Sequence, residues 1–414
     1  IMSVGLTLWK EGERMLLTME EKNRIEVVQG VMDGRISVKE AGTVLNRSVR
    51  QIYRILGRLR EAGLAGLIHG NKGRRSPRRI GESIRKRIVA LARERLSDIN
   101  DTHLSEILLR EEKIRISRQA LRRILRGAGI PAKLKRRSPK HRSRRERKEA
   151  FGMMLQIDGS PHDWLEGRGP YLTLIGAKDD ATGHVWARFE VAETTWGYMD
   201  LMKEIFLSKG LPLSLYSDRH TIFHSPKEPT IVEQINNVRP LTQFGRAMQE
   251  LGITIIKAWS APAKGRIENQ WKTFQDRLVV ELRLAGVRTK EEANRLLGWF
   301  LKDCNRRFCV APRKQEPVFR TSPSPSRLER ILCLKETRVV AKDHTLSFEG
   351  LVLQIPPSKK YHSIARQKVQ VFQLKDGSVE IVYQQQTVAR FRPEAVKRLV
   401  EALKEEKCQL KKAA

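Results

Sequence analysis

At 414 residues the chain is longer than one hydrophobic core sustains, so two to four domains are expected. A formal net charge of +33 and a pI of about 10.4 exceed what solubility requires and point to a polyanion, nucleic acid above all. No apolar run is long enough to span a bilayer and no secretory signal is seen, so the expectation is a cytoplasmic protein with no membrane partner. The four cysteines, Cys304, Cys309, Cys333 and Cys408, form no CxxC pair, which argues against a disulfide framework or a cysteine zinc site. Residues 1–18 show no periodicity, and the expected translation start is Met2, Met15 or Met19.

Three amphipathic segments, Glu20 to Met32, Ser37 to Leu45 and Ser48 to Ala62, have helix-turn-helix spacing and define an expected DNA-binding domain at 19–65. In the third, Val49, Ile52, Ile55, Leu56 and Leu59 recur at helical period. Arg50, Gln51 and Arg54 are left on the outer face, where such side chains can read base edges; a small bundle with a solvated basic face is the plainer alternative. A basic linker, 66–79, carries Arg74, Arg75, Arg78 and Arg79, suited to the DNA backbone or minor groove. A second helical trio, 80–131, follows, with Ser117 as a natural N-cap and Arg118, Gln119 and Arg122 as its DNA-facing residues. Residues 71–150 hold 27 Lys and Arg against 9 Asp and Glu, more than half of the net charge. The last of these, 132–150, has ten basic residues and no aromatics; it is expected to be a tether or a helix that orders on phosphate, with Arg136 and Arg137 among its DNA contacts.

From 151 the pattern changes to strands. "MMLQID", "YLTLIGAKD" and "HVWARFEVA" are followed by a helix, "LSLYSD", a second helix, "ITIIKAW" and a third helix, which describes an α/β layer of ribonuclease H type over 151–318. Asp158 ends its first strand, Asp218 its fourth, and Glu268 lies in the helix after the fifth. In such a layer the first and fourth strands are neighbours and that helix crosses their ends, so the three acids can converge. Three carboxylates together need divalent cations to offset their repulsion, and a hard oxygen site suits two Mg²⁺ ions for in-line phosphodiester displacement. Lys264 and Lys272 flank Glu268 as phosphate contacts. Asp163, Asp179 and Asp180 are rivals for the first position, and Glu250, Asp276 and Glu281 for the third. Short strands over 330–393 are expected to close a small β-barrel, and 394–414 to form a helix and tail.

With "QIDGS", "YSDRH" and "AKGRIENQWKTFQDRL" in place, the chain resembles a DDE transposase with a retroviral-integrase-type core, as encoded by bacterial insertion sequences. Its order of parts, tandem helix-turn-helix domains, basic linker, core and terminal barrel, is similar to the ISNCY group. The resemblance implies that Asp158, Asp218 and Glu268 are the catalytic triad and metal ligands. It further implies two Mg²⁺ ions, replaceable by Mn²⁺, and cleavage at terminal inverted repeats with strand transfer into target DNA. At least a dimer on DNA follows, and no nucleotide cofactor. One departure is the 49 residues between Asp218 and Glu268, more than many relatives have, read as an insertion in 219–240. The alternatives are a sequence-specific DNA-binding regulator with a non-cleaving core, and a stand-alone nuclease.

Overall fold

The computed structural model describes residues 7–10, 13–16, 18–67, 79–133, 138, 146–229, 231–235, 240–258, 265–357, 363–394 and 396. The chain divides into two compact units, Ile1–Leu91 and Ala92–Ala414.

The first unit opens with an antiparallel pair, β1 (Thr7–Lys10) and β2 (Glu13–Leu16). Helices α1 (Met19–Met32), α2 (Val38–Val44) and α3 (Val49–Ala62) follow, with a 3-10 turn at Gly63–Leu67. Each α-helix starts on a capping box. The hydroxyl of Thr18, Ser37 or Ser48 accepts the backbone N–H three residues on, and the side chain of Glu21, Glu40 or Gln51 accepts the cap's own N–H. The turn between α2 and α3 needs Gly42, because a Cβ there would stand 2.8 Å from the Arg47 carbonyl oxygen. Val28, Ala41, Ile52, Ile55, Leu56 and Leu67 close the core. Arg50, Gln51, Tyr53, Arg54 and Arg58 stay exposed on α3. The border between the units falls inside α4 (Glu82–Glu94).

In the second unit, α5 (Asp101–Glu111) and α6 (Arg118–Gly127) are capped by Asn100 and Ser117. Strands β3 (Leu155–His162), β4 (Leu172–Asp179) and β5 (Val185–Glu190) form an antiparallel meander. After α7 (Thr195–Lys209), β6 (Ser214–Ser217) pairs parallel with β3. Helices α8 (Ile231–Ile235) and α9 (Gln243–Glu250) lead to β7 (Thr254–Lys257), parallel to β6. The order β5-β4-β3-β6-β7 is that of a ribonuclease H-type layer. One face packs on α7 and α9 through Tyr198, Met202, Phe206 and Phe244. The other packs on α10 (Gly265–Leu284) and α11 (Lys290–Phe308) through Trp271, Phe274, Leu278 and Phe300.

Beyond α12 (Pro325–Ile331) the described residues form an all-β region, without showing the closed barrel expected from the sequence. Strands β8 (Leu334–Val339), β11 (Lys368–Gln373), β12 (Val379–Tyr383) and β13 (Gln386–Phe391) form an antiparallel sheet ordered β13-β12-β11-β8. The hairpin of β9 (Thr345–Phe348) and β10 (Leu351–Gln354) stands apart from it, and among the described residues the sheet does not close. The hairpin instead covers the apolar face, with Leu346, Phe348, Leu351 and Leu353 packed in one cluster with Val369, Val371 and Ile381. Of the expected terminal helix only Glu394 and Val396 lie within the described residues. No described helix is long and apolar enough to cross a membrane.

Charged side chains join α5 to α10 and α11. Glu106 accepts hydrogen bonds from Arg277 at 2.8 Å and Arg307 at 2.9 Å. Burial opposes its charge, yet the two guanidiniums hold its carboxyl down to about 2, below the ordinary 4.5. A depressed folded-state value means that the pairing stabilises the docked helix above pH 4.5 and is lost as pH falls towards 2. Hydrogen exchange of α5 amides, corrected for intrinsic rates, is therefore expected to rise as pH falls across that window, and in a Glu106→Gln variant to start higher and rise less; α5 protection that is flat to pH 2 in the native sequence contradicts the pairing.

Candidate active site

The parallel register of β3 and β6 pairs Leu155 with Leu215 and Gln156 with Tyr216. Carried two residues further, the same offset sets Asp158 level with Asp218. Asp158 does not end β3, as the sequence suggested, because the strand continues to His162 in its pairing with β4. It stands where the pairing with β6 stops, and Asp218 follows directly after β6. Both are half-buried at the C-terminal end of the β3–β6 pairing.

Several side chains fix these carboxylates. The Trp271 indole N–H donates to Asp158 Oδ2 at 3.0 Å. Asp218 Oδ1 accepts the backbone N–H of His220 at 3.0 Å, and Ser217 next to it shares a 3.2 Å contact with His224 Nε2. Burial, with Lys257 nearby, lowers the His224 pKa, which keeps that ring neutral. Tyr198, wholly buried on α7, donates its hydroxyl to Glu193 Oε1 at 2.6 Å. Burial raises its pKa well above 10, and the negative charges of Glu193, Asp158 and Asp218 add to the effect. The Tyr198 hydroxyl thus remains protonated within the field of both aspartates. Gly159 leaves room for Glu193 beside them, since a Cβ there would lie 2.8 Å from its carboxylate.

Glu268 sits in the first turn of α10, half-buried, where the N-terminal end of the helix dipole favours a negative charge. Trp271, three residues on, touches Asp158, and Gln275 donates to Ser160 Oγ at 3.1 Å, so the start of α10 is pinned across β3. Lys178 on β4 pins it again, donating to Gln270 Oε1 at 2.8 Å and to the Arg266 carbonyl at 3.3 Å. Burial lowers the Lys178 pKa to about 8. Even so, no group of three His, Cys, Asp or Glu side chains among the described residues is close enough to hold a metal ion. The register sets Asp158 level with Asp218, and the Trp271 bond lays α10, which carries Glu268 in its first turn, against Asp158.

The rival acids have structural partners. Asp179 accepts the N–H groups of Gly152 and Thr182, and Asp180 accepts Lys148 N–H and Gln156 Nε2 and pairs with Arg266. Asp163 accepts Gly167 N–H in a turn. Glu250 pairs with Arg246 and Lys335, while Asp276 and Glu281 hold α5. Among the expected DNA contacts, Arg50, Arg54, Arg118, Gln119, Arg122 and Lys272 are exposed. Gln51 is exposed too, but its Oε1 accepts the Ser48 N–H at 3.1 Å, so base reading would first undo the cap. Arg79 stands 4.0 Å from Glu82. Arg74, Arg75, Arg78, Arg136, Arg137 and Lys264 lie outside the described residues. Sequence reasoning missed Trp271, Tyr198 and Glu193. Trp271 belongs to the stripe Ile267, Trp271, Phe274, Leu278 and reads as plain core; its one signal is that a buried indole N–H requires an acceptor.

A helix-turn-helix domain model matches residues 23–78. The chain is 35% identical to y4bF of Sinorhizobium fredii, named as a transposase, over 88% of this chain and 80% of that one. It is 29% identical to the transposase of insertion sequence IS1202 from Streptococcus pneumoniae, over 87% and 84%. Among solved structures, the catalytic core of BIV integrase is similar at 18% identity over 38% of this chain and 85% of its own, with a TM-score of 0.27. The HTLV-2 integrase catalytic core in complex with magnesium is similar at 14% identity over 36% and 86%, with a TM-score of 0.28.

The placement of Trp271 over the sheet can be tested without any activity. A Cβ at Gly176 on β4 would lie 2.3 Å from a carbon of the Trp271 six-membered ring. Gly176→Ala is expected to destabilise the fold by about 1–3 kcal/mol through overpacking. Trp271→Phe, which removes that part of the ring, should relieve much of the clash, so the double variant is more stable than additivity predicts. Denaturant melts of the four proteins measure this; strict additivity contradicts the contact.

Proposed function

The chain belongs to the transposase family, and on that premise we propose that it binds the terminal inverted repeats of an insertion sequence, cleaves phosphodiester bonds there and transfers the freed 3′ ends into target DNA. The observation that carries this reading is the register of β3 and β6, which sets Asp158 level with Asp218 under a helix that touches Asp158 through Trp271. Two aspartates set level on neighbouring strands are hard oxygen donors and suit Mg²⁺ or Mn²⁺. Asp158, Asp218 and Glu268 would hold a pair of such ions, which supply Lewis-acid activation of the attacking oxygen and charge stabilisation of the leaving one.

The chain's own residues do the remaining work. Trp271 and the backbone N–H of His220 orient the two aspartates as acceptors, and the protonated Tyr198 hydroxyl keeps Glu193 tied back. Glu268, in the first turn of α10, would complete the set, and bound cations would offset the repulsion among the three carboxylates. Lys272, exposed one turn beyond Glu268, takes a phosphate of the strand being cut. The segments 19–65 and 80–131 read the repeat through Arg50, Arg54, Arg118, Gln119 and Arg122, and the basic linkers 66–79 and 132–150 neutralise phosphates between them. Two ends processed together call for at least a dimer on DNA.

A second reading, a sequence-specific regulator with a non-cleaving core, draws on the fact that the three acids do not form one group in this structure. Incubation with Mg²⁺ and element-end duplex separates the two. Cleavage followed by strand transfer is expected, and Asp158→Asn, Asp218→Asn and Glu268→Gln should each lose at least a thousandfold in both steps while keeping DNA affinity. Binding without cutting supports the regulator, and full activity in any one variant removes that residue from the site. DNA affinity should also fall by about 0.9 log unit per log unit of salt for each phosphate neutralised. Filter-binding or anisotropy titrations across salt check this, and a flat profile contradicts the role of the basic segments.

A further inference from the structure

The helices 101–127 are not merely tethered to the α/β layer; they are locked to two of its helices, α10 and α11. Residues His103, Glu106 and Arg110 fall on one face of α5, at successive turns. His103, 3% exposed, places Nε2 2.8 Å from Glu281 Oε1. Arg110 grips both oxygens of the same carboxylate, at 3.0 and 2.8 Å, with its guanidinium 5.4 Å over the Trp299 ring. Glu106 is held by Arg277 and Arg307. At the start of α5 the Asn100 amide bonds to Asp276, which also meets Lys133 at 3.1 Å, and Arg283 donates to the Ser97 carbonyl at 3.2 Å.

Four of these partners, Asp276, Arg277, Glu281 and Arg283, lie on α10, the helix that carries Glu268 and Trp271. Isolated surface ion pairs hold little, but Glu281 is only 6% exposed, and a buried carboxylate deprived of its partners is strongly unfavourable. The far side of α5 is joined to α6 by Arg126, whose Nη2 reaches both oxygens of Asp101 at 2.9 and 2.7 Å. That leaves Arg118, Gln119 and Arg122 exposed on α6. A continuous chain of contacts thus runs from the DNA-reading face of α6 through α5 to α10. Glu281 and Glu268 are 13 residues apart on that helix, about 20 Å along its axis.

We propose that His103, Glu106 and Arg110, clamped to Arg277, Glu281 and Arg307, are positioning residues that fix the distance between the bases read by α6 and the phosphodiester bond presented to Asp158 and Asp218. This rests on the transposase reading above. The clamp makes the second helical unit a ruler, so the cut falls at a set number of base pairs from the site that α6 occupies.

The test uses the full chain, Mg²⁺ and an end-labelled duplex of the terminal repeat of the element that encodes it. Spacers of one and two base pairs are inserted between the α6 footprint and the cut, and products are sized at nucleotide resolution. With the native sequence the cut should shift with the spacer, staying at constant distance from the footprint. In Glu281→Gln and Arg110→Ala the cut should spread over several neighbouring bonds, with DNA affinity within about twofold of native. Glu106→Gln, at a less buried position, gives the same spread should the Glu281 variant fail to fold. A cut that stays at the repeat end whatever the spacer, or variants that cut at one unchanged bond, overturns the clamp and leaves the transposase reading standing. Absence of any cut by the native chain on the unspaced duplex overturns that reading, and the clamp with it.

Discussion

The parallel pairing of β3 with β6 is the constraint on which the proposed site depends. Its offset of 60 residues, set by Leu155 against Leu215, brings level two aspartates that the chain separates by a helix and three strands. The pairing is recorded over only two residue pairs, so its register is secured by what packs on either face: Ile157 and Leu215 under Tyr198 and Met202 on one side, Trp271 and Phe274 on the other. A slip of one residue would turn every buried side chain of β3 to the opposite face. The register is thereby tied to the core, and the position of the acids to the register.

The charge of the chain is deployed in two ways. Within the second unit many cations are consumed by structure: Arg266 on Asp180, Arg126 on Asp101, Arg110 on Glu281, Arg277 and Arg307 on Glu106. Such pairs orient helices, and they satisfy acids that would otherwise compete with the proposed site for a cation. Exposed cations of α3 and α6, among them Arg50, Arg54, Arg118 and Arg122, lie on the faces opposite the helix cores. The net charge points to a polyanion, and these exposed faces are suited to meet one.

Local pattern made much of the fold legible. The stripes Ile52, Ile55, Leu56 and Leu121, Ile124, Leu125 show which faces of α3 and α6 are buried, and the alternation of apolar residues marks the strands. What could not be read depends on contacts remote in sequence. Ion pairs between Glu106 and Arg277 or His103 and Glu281 span more than 170 residues and leave no periodic trace. Closure of the terminal sheet depends on whether β8 meets β13, which no property of either strand decides. Gln51 was readable as a base reader from its face, and equally as the third residue of a capping box behind Ser48; the structure shows the second use. Trp271 was hidden by its own regularity, because an aromatic at a core position needs no explanation until its N–H is followed to Asp158.

The proposed chemistry requires Glu268 to meet Asp158 and Asp218 around divalent cations. Anomalous diffraction from Mn²⁺ in crystals grown with an element-end duplex measures this most directly. The account predicts manganese peaks with an oxygen of each of the three residues at about 2.0–2.3 Å. Peaks on the two aspartates with Glu268 turned elsewhere, or no peak beside β3 and β6 at all, would contradict it.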